Sequence, residues 1–218
     1  MEDFSNYRKS YEKSELLENT IPEDPINLFN RWFHEVEEFS TSNSSGEEVN
    51  AMTVSTIGLD GFPKSRVVLL KQLTYEGFIF YTNYNSEKGR AIINNSNVCL
   101  SFYWHSLERQ VIIKGIAEKT SAQVSDTYFD SRPTGSKLGA IASNQSEVIS
   151  SRAVLEENLK ELENRFEGIE IPRPVFWGGF IVKPIEVEFW QGRPNRLHDR
   201  IRYKITDDYN WIIERLSS

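Results

Sequence analysis

The sequence predicts a mainly β fold with flanking helices, an α+β protein built around an antiparallel barrel. Short runs of β-branched and aromatic residues, separated by turn signals, fill much of the chain after residue 50. These runs are closely spaced in the early and late parts of the chain, which favours an antiparallel barrel. A parallel sheet would instead show regular alternation of strands with helices. The predicted strands are 51–57, 65–73, 78–82, 98–104, 110–118, 178–182, 185–191, 197–205 and 211–216, with hairpin turns at 59–61 and 207–210.

Helical patterns flank and interrupt these strands. Asp24 supplies an N-cap and Pro25 suits the first helical position, after which Leu28, Trp32 and Val36 recur on one helical face, together with Phe29 and Phe33. A Ser/Gly/Glu-rich loop is predicted at 40–48. Further helices are predicted at 86–94, 121–131 and about 148–166.

The first twenty residues are polar and charged with few apolar anchors, so residues 1–20 are predicted to form a mobile arm that can close over a site. Residues 21–218 show no break in composition and are predicted to form a single domain.

Composition excludes several classes of function. The formal net charge of -7 opposes a nucleic-acid partner or an anionic membrane surface. The single cysteine, Cys99, rules out an intramolecular disulfide framework, and it reads as a small apolar strand residue. No apolar run reaches membrane-spanning length, and the acidic start has no signal-peptide pattern. A soluble, cytoplasmic protein without a membrane partner is therefore expected.

The usual signatures of dinucleotide, nucleotide and zinc sites are missing from the sequence. The three histidines, His34, His105 and His198, have no metal-ligand spacing, so no metal site is expected. The remaining candidates are cationic and hydroxyl residues beside predicted strands, which could hold a phosphate-bearing ligand by charge-assisted hydrogen bonds.

Arg66 and Lys71 are the first such pair. Residues five apart on a regular strand point to opposite faces, so a shared site would require a bulge or a strand end. Two solvated charges at the ends of a core strand remain the alternative.

Two helix ends offer further groups. Tyr81, Thr82 and Ser86 leave a strand and enter a helix, where hydroxyls and backbone N–H groups can meet an anion, although Ser86 could serve only as an N-cap. Tyr128, Arg132 and Ser136 follow at intervals of four. The first two share a helical face, and Pro133 is predicted to end that helix and leave Ser136 on a loop. An exposed helix end would explain this grouping equally well.

The densest cluster lies near residue 195. Trp190 ends a predicted strand, and after a Gly/Pro turn Arg196, His198 and Arg200 alternate along the next. Alternation would place these three cation-capable groups on one face, where they repel one another unless an anion or carboxylates compensate them. The cluster is the strongest site candidate, with a solvated edge strand as the alternative.

At these residues the sequence resembles the pyridoxamine 5′-phosphate oxidase family. The resemblance rests on Phe189-Trp190-Gln191-Gly192 and Arg196-Leu197-His198-Asp199-Arg200, and it extends in family order over nearly the whole chain after the arm. The other matching segments are Asp24-Pro25, Ser65 to Lys71, Phe80-Tyr81-Thr82-Asn83, Glu108-Arg109-Gln110-Val111, Tyr128-Phe129, Ser131-Arg132-Pro133, Gly139-Ala140, Gln145-Ser146 and Phe176-Trp177-Gly178-Gly179.

The resemblance implies an antiparallel split β-barrel homodimer, with FMN bound at each of two sites built from both subunits. It implies oxidation of pyridoxamine or pyridoxine 5′-phosphate to pyridoxal 5′-phosphate by O2, with release of H2O2 and, from the amine, ammonia. The residues matched to FMN contacts are Arg66, Lys71, Tyr81, Thr82, Lys88, Gln110, Gln145, Ser146, Trp190 and Arg200. Those matched to the substrate are Lys71, Tyr128, Arg132 and Ser136 at the phosphate, Arg196 and His198 at the reacting end as catalytic candidates, and Arg8 and Tyr11 on the arm.

One position departs from the family pattern. Relatives usually carry arginine where this chain has Glu87, which removes a cationic contact to the FMN phosphate. A carboxylate beside a phosphate is unfavourable, so Glu87 is expected to point away or to pair with Arg90.

Two other functions fit parts of the sequence. Another FMN split-barrel oxidoreductase with a different substrate would need the flavin residues alone. A non-enzymatic β-barrel module that binds oligonucleotides would use surface aromatics, but the acidic balance opposes it.

Overall fold

The structure, a computed structural model, describes residues 2–218. Five α-helices and nine strands occur in this range. The helices are α1 (Pro25–Asn43), α2 (Glu87–Asn94), α3 (Ala122–Asp130), α4 (Thr134–Ala142) and α5 (Arg152–Arg165). The strands are β1 (Ala51–Ile57), β2 (Pro63–Leu69), β3 (Gln72–Leu73), β4 (Phe78–Asn83), β5 (Asn97–Trp104), β6 (Arg109–Lys119), β7 (Trp177–Gln191), β8 (Asp199–Ile205) and β9 (Trp211–Arg215).

The strands form one sheet in the order β2-β1-β5-β6-β7-β4-β3, with β8 paired to β7 and β9 paired to β8. The pairs β3–β4, β4–β7, β7–β8 and β8–β9 are antiparallel. The predicted mainly β class with flanking helices is therefore confirmed.

Strand β7 is continuous where two strands were predicted. Pro184 lies between the two predicted strands, and proline cannot donate a ladder hydrogen bond. In the structure, pairing with β4 ends at Val182 and pairing with β8 begins at Glu186. Pro184 lies between these two registers, so neither ladder loses a hydrogen bond and the strand runs through it.

Helix α1 ends later than predicted, and one helix was not predicted. Helix α1 continues to Asn43, inside the predicted loop, and ends where Ser44 adopts a left-handed conformation. Helix α4 was not predicted, because Pro133 was interpreted only as the end of the preceding helix. Proline is equally suited to a helix start, and Thr134–Ala142 follows it directly.

The chain divides into two compact units. The first comprises the chain up to Val54, with Cys99–Gly115 and Pro184–Ser218. Its core contains the predicted apolar face of α1, whose Asp24 cap accepts a hydrogen bond from the Ile26 N–H group. Phe29 packs edge-on against Phe102, with ring centroids 5.0 Å apart. Aromatic pairs in this geometry stabilise a core beyond their buried area.

The hydroxyl of Tyr203 in this core donates a hydrogen bond of 2.8 Å to the Pro22 carbonyl. Burial raises the pKa of Tyr203 to about 12, whereas an unfolded tyrosine titrates near pH ~10. The resulting stabilisation is complete below pH ~10 and is lost as the pH rises toward the folded pKa.

We expect Tyr203→Phe to lower the free energy of unfolding by about 1 kcal/mol at pH ~7. The variant should also lose less stability than the parent between pH ~9 and ~11.5, as measured by urea unfolding. The exposed Tyr209 provides the control, since Tyr209→Phe should change neither quantity. Equal alkaline losses in the parent and Tyr203→Phe would contradict this account.

The second unit comprises Ser55–Val98 and Ile116–Lys183. Its helical side is built on Phe129, Leu138, Ile171 and Trp177, and apolar residues of α5 pack against this cluster. The side chain of Asn158 donates to the Ala142 carbonyl and ties α5 to the end of α4. This packing fixes α3 and α4 beside strand β4, where the candidate site lies.

Candidate active site

A cavity of about 500 Å³ lies in the second unit. Eight of the residues predicted from the sequence line it, and they are Lys71, Tyr81, Thr82, Lys88, Tyr128, Arg132, Ser136 and Gln145. Val67, Val68, Leu69, Asn83, Gly139, Ala140, Ser143 and Trp177 complete the lining. Hydroxyls and cations thus converge on a space large enough for a small phosphorylated ligand.

One wall of the cavity is a stack of three aromatic rings. Tyr81 and Tyr128 stack with centroids 3.9 Å apart and planes 16° apart, and Trp177 lies 5.6 Å from Tyr81 and nearly parallel to it. The Arg132 guanidinium is 4.6 Å from the Trp177 ring centroid. The stack therefore holds the planar guanidinium at the cavity wall.

The surroundings of Arg132 favour the binding of an anion. Burial lowers its pKa, and its Nη1 atom is buried without a hydrogen-bond partner within residues 2–218. Buried donors are almost always satisfied, so an orphaned guanidinium nitrogen beside a cavity indicates an anionic ligand.

The chain path around Pro133 brings three predicted residues together. Tyr128 lies on α3, Arg132 follows the end of that helix, and Ser136 lies in the first turn of α4. The prediction that Ser136 lies on a loop was wrong, because α4 begins immediately after Pro133. A first-turn position favours an anion, since the N-terminal end of a helix carries partial positive charge.

A second group of contacts centres on Lys88. Its ammonium lies 3.4 Å from the Thr82 hydroxyl and 3.3 Å from the Gln145 side-chain oxygen, and Thr82 donates to the same oxygen at 3.1 Å. Burial, and next the nearby Arg66 cation, lower the pKa of Lys88. A phosphate would suit these two partly buried cations, because its negative charge would offset both the cost of burial and the repulsion between the cations.

Only one of Arg66 and Lys71 contacts the cavity. Strand β2 ends at Leu69, so Lys71 lies beyond the strand end. A strand end was one of the two arrangements that would allow the pair to share a site. Lys71 lines the cavity and Arg66 does not. The Arg66 guanidinium donates to the Thr56 hydroxyl at 2.7 Å, and burial lowers its pKa.

Ser86 acts as a helix cap. Its hydroxyl accepts from the Gly89 N–H group and donates to the Asn83 carbonyl. The N-cap predicted for this residue is confirmed.

Glu87 forms a different ion pair from the one expected. Its carboxylate lies 2.6 Å from the Lys64 ammonium on β2, whereas Arg90 pairs with Glu147 at 3.3 Å. Of the two arrangements expected for Glu87, the pairing with Arg90 was wrong, because β2 brings Lys64 to the start of α2. The other, in which Glu87 points away from the phosphate, stays a prediction. The Lys64 contact lowers the pKa of Glu87, so the carboxylate is charged at neutral pH.

A separate aromatic cluster lies in the first unit. Trp190 packs against His198 with centroids 4.7 Å apart, and Tyr11 lies 5.6 Å from Trp190 and 5.9 Å from His198. The Arg193 backbone N–H donates to His198 Nδ1 at 3.0 Å. Burial first, and Arg196 next, lower the pKa of His198. At neutral pH the imidazole is therefore uncharged. Because Nδ1 accepts the hydrogen bond from Arg193, the ring proton lies on Nε2.

The predicted alternation of Arg196, His198 and Arg200 along one strand was wrong. Residues Pro194–Arg196 form a short turn in which Asn195 and Arg196 have positive φ, and β8 begins only at Asp199. Ser218 accepts a hydrogen bond from the His198 N–H group and donates to the Arg196 carbonyl. The Arg200 side chain instead pairs with Glu188 at 2.8 Å, so a carboxylate rather than a shared anion compensates it.

The three remaining predicted residues lie neither in the cavity lining nor in the aromatic cluster of the first unit. The Gln110 amide is 3.4 Å from the Ser101 hydroxyl. Ser146 is exposed with φ 77, and Arg8 is exposed and donates to the Ser5 carbonyl. Their predicted contacts remain predictions.

Of the eight lining residues that were not predicted as site residues, Trp177 is the one that supplies an aromatic ring. The Gly178-Gly179 pair that follows it was a usable signal, since glycine within a strand often marks a close approach. A Cβ atom at Gly179 would lie 2.9 Å from the Tyr81 ring. The glycine thus lets β7 approach the ring stack.

Within residues 2–218, no group of three or more His, Cys, Asp or Glu side chains is arranged to hold a metal ion. No helix in the described chain has both the length and the apolar character needed to cross a membrane.

Comparison with known proteins identifies the family. Residues 40–166 match the family described as pyridoxamine 5′-phosphate oxidase, and residues 177–218 match the pyridoxine 5′-phosphate oxidase C-terminal dimerisation region. The chain belongs to the pyridoxamine 5′-phosphate oxidase family. The predicted family is confirmed, and the dimerisation region supports the predicted homodimer.

Relatives cover the full chain. A pyridoxine/pyridoxamine 5′-phosphate oxidase from Flavobacterium johnsoniae is 75% identical over 218 residues, with 100% of each chain covered. One from Salinibacter ruber is 48% identical over 219 residues, again with 100% of each chain covered. A solved structure of PhzG from Burkholderia lata, in complex with tetrahydrophenazine-1-carboxylic acid, has a TM-score of 0.83 at 28% identity and covers 95% of this chain and 100% of its own. These likenesses confirm the predicted split-barrel, FMN-binding fold.

Proposed function

We propose that this chain oxidises pyridoxine 5′-phosphate or pyridoxamine 5′-phosphate to pyridoxal 5′-phosphate, with FMN as its cofactor. The observation that carries the substrate class is the buried, unpartnered Nη1 of Arg132 in the cavity. Lys71, Tyr128 and Ser136 line the same cavity and supply one more cation and two hydroxyls. Such a set suits a substrate phosphate.

The residues around Lys88 fit the phosphate of FMN. Lys88 and Arg66 provide the charge, and Thr82 and Gln145 provide polar contacts. We assign Tyr81, Lys71, Gln110, Ser146, Trp190 and Arg200 to the remaining FMN contacts, as the family resemblance implies. When bound, FMN supplies the two-electron acceptor for the carbon that is oxidised.

His198 and Arg196 are assigned to the reacting end of the substrate. Because Nδ1 accepts a hydrogen bond from the Arg193 N–H group, Nε2 carries the proton and can donate to the substrate oxygen or nitrogen. His198 therefore orients the substrate as a donor, and Arg196 adds a fixed positive charge. Tyr11 covers Trp190 and His198 and would limit water at this end.

We further propose that FMN binds between the two subunits of a homodimer and that O2 accepts the electrons, with release of H2O2. The first proposal is supported by the dimerisation region at 177–218, which contains Trp190, Arg196, His198 and Arg200.

The deciding experiment mixes FMN-loaded protein with pyridoxine 5′-phosphate in air and follows pyridoxal 5′-phosphate and peroxide together. We expect equal amounts of both products. Absence of both products would instead favour a flavoprotein with another substrate, and purified protein that neither contains nor acquires flavin absorbance would exclude both flavin functions.

Glu87 provides a test of the FMN phosphate site. Replacing it with arginine restores the residue usual in the family and removes a negative charge near Lys88 and Arg66. We expect Glu87→Arg to lower the Kd for FMN by roughly 3- to 10-fold at low salt, since an exposed charge contributes about 1 kcal/mol. The gain should shrink at high salt.

Fluorescence titration of the FMN-free protein measures this effect. Glu163→Arg makes the same charge change on the exposed part of α5 and serves as the control. Weaker FMN binding by Glu87→Arg than by the control would place the phosphate away from α2.

A further inference from the structure

Glu108 is a buried acid that neither the cavity nor the proposed chemistry uses. It directly precedes β6, has a positive φ of 56, and its side chain is only 2% exposed. Its carboxylate accepts hydrogen bonds from the backbone N–H groups of Glu12 at 2.8 Å and Lys13 at 3.1 Å. The Lys9 ammonium lies 3.6 Å away. All three partners belong to the segment 9–13, which we call the arm segment.

The backbone carbonyl of Glu108 binds a different segment, the end of β7 and the residue that follows it. Its carbonyl accepts from the Gly192 N–H group at 2.8 Å and from the Gln191 side chain at 3.3 Å. Glu108 therefore links the arm segment to the turn that follows Trp190.

Tyr11 lies between these two anchored backbones. A Cβ atom at Gly192 would lie 2.8 Å from Tyr11 Cβ and Cγ, so Tyr11 rests directly on the glycine backbone. Burial, with a hydrogen bond to Tyr11 next, raises the pKa of Tyr103 to about 12. The base of the phenol ring is thus held against the Gly192 backbone.

The energetics favour docking of the arm segment without any ligand. A buried carboxylate is costly unless it is hydrogen-bonded, and within the described chain both hydrogen bonds to the side-chain carboxylate of Glu108 come from the arm segment. Hydrogen bonds to a charged group are about twice as strong as neutral ones. Lys9 is 66% exposed and adds little.

We propose that Glu108 is a positioning residue that docks the arm segment, so that Tyr11 lies against Trp190 and His198 and closes the substrate's reacting end. The docking itself stands on the contacts above, whereas its effect on turnover rests on the proposed oxidase function.

The test uses FMN-loaded Glu108→Gln, which keeps the side-chain size but loses the charge. We expect trypsin to cleave after Arg8, Lys9 and Lys13 at least about 10-fold faster than in the parent. The KM for pyridoxine 5′-phosphate should rise about 10-fold, while kcat changes less than about twofold. Glu12→Gln removes an equal charge from the arm segment but keeps the backbone N–H bond, so it should resemble the parent in both assays.

A double-mutant cycle separates positioning from general destabilisation. In a Tyr11→Ala background, Glu108→Gln should raise KM less than about twofold further, because the ring that it positions is gone. A full additional rise in KM, or unchanged cleavage by trypsin, would overturn the proposal. If Glu108→Gln does not fold, Gly192→Ala displaces Tyr11 independently and should raise KM, and an unchanged KM there would also overturn it. Cleavage needs no turnover, so an inactive parent enzyme would refute the proposed function alone.

Discussion

Replacing Arg132 with methionine is expected to raise the KM for pyridoxine 5′-phosphate by roughly 100-fold, which corresponds to about 3 kcal/mol. The guanidinium is stacked on Trp177, and its buried Nη1 atom has no partner in the described chain. In the proposed site, no protein group therefore competes with the substrate phosphate for this atom. Removal of one partner from a buried charged hydrogen bond typically costs about 2–5 kcal/mol. Steady-state kinetics with FMN-saturated enzyme measures the change.

Two comparisons make this result specific. Arg152→Met removes an arginine that is 86% exposed on α5 and should leave KM unchanged. Unphosphorylated pyridoxine, if it turns over, should lose no further activity in Arg132→Met, because the missing contact is to the phosphate. Arg132→Lys should recover only part of the loss, since lysine has no planar group to stack on Trp177. A KM within threefold of the parent in Arg132→Met would remove Arg132 from the phosphate site.

Replacing Lys88 with methionine should have opposite effects on FMN binding and on the stability of the FMN-free protein. The Kd for FMN should rise roughly 100-fold, since a charged hydrogen bond to phosphate is worth up to about 3 kcal/mol. The FMN-free protein should become more stable, because burial and Arg66 both disfavour the charged ammonium. This penalty is present at neutral pH, where lysine is charged, and it falls as the pH rises through the lowered pKa.

Fluorescence titration and thermal unfolding without FMN measure the two effects. Lys160→Met on the exposed side of α5 is the matched control and should alter neither. A decrease in both FMN affinity and stability would mean that Lys88 supports the fold rather than the cofactor site.

Much of the fold was predictable because its signals are local. The helix after Asp24-Pro25 and the strand Ala51–Ile57 follow from capping and alternation within a few residues. Helix α4 was missed because Pro133 has two local meanings, the end of one helix and the start of the next. Only the packing of Leu138 against Phe129 and Trp177 selects the second meaning.

The candidate site was predictable in its residue types and less so in its geometry. Spacing grouped Tyr128, Arg132 and Ser136 correctly, since all three line the cavity. The strand alternation predicted for Arg196 and His198 failed because Asn195 and Arg196 adopt left-handed conformations that the residue pattern does not require. Periodicity assumes regular backbone, and functional turns often depart from it.

Contacts between distant residues could not be predicted from local pattern. Glu108 lies 96 positions from Glu12, and nothing near either residue indicates the other. The mobility predicted for residues 1–20 stays a prediction. The buried Leu16, only 2% exposed, shows that the later part of this segment has a packed position in the structure.

The ring stack of Tyr81, Tyr128 and Trp177 also gives the protein a built-in optical reporter. A cation held 4.6 Å from an indole centroid perturbs its excited state, and an anion that draws the Arg132 charge away would alter that perturbation. Occupancy of the proposed phosphate position should therefore change the Trp177 contribution to the summed emission of the five tryptophans in the FMN-free protein. Inorganic phosphate alone could then be titrated without substrate, turnover or label.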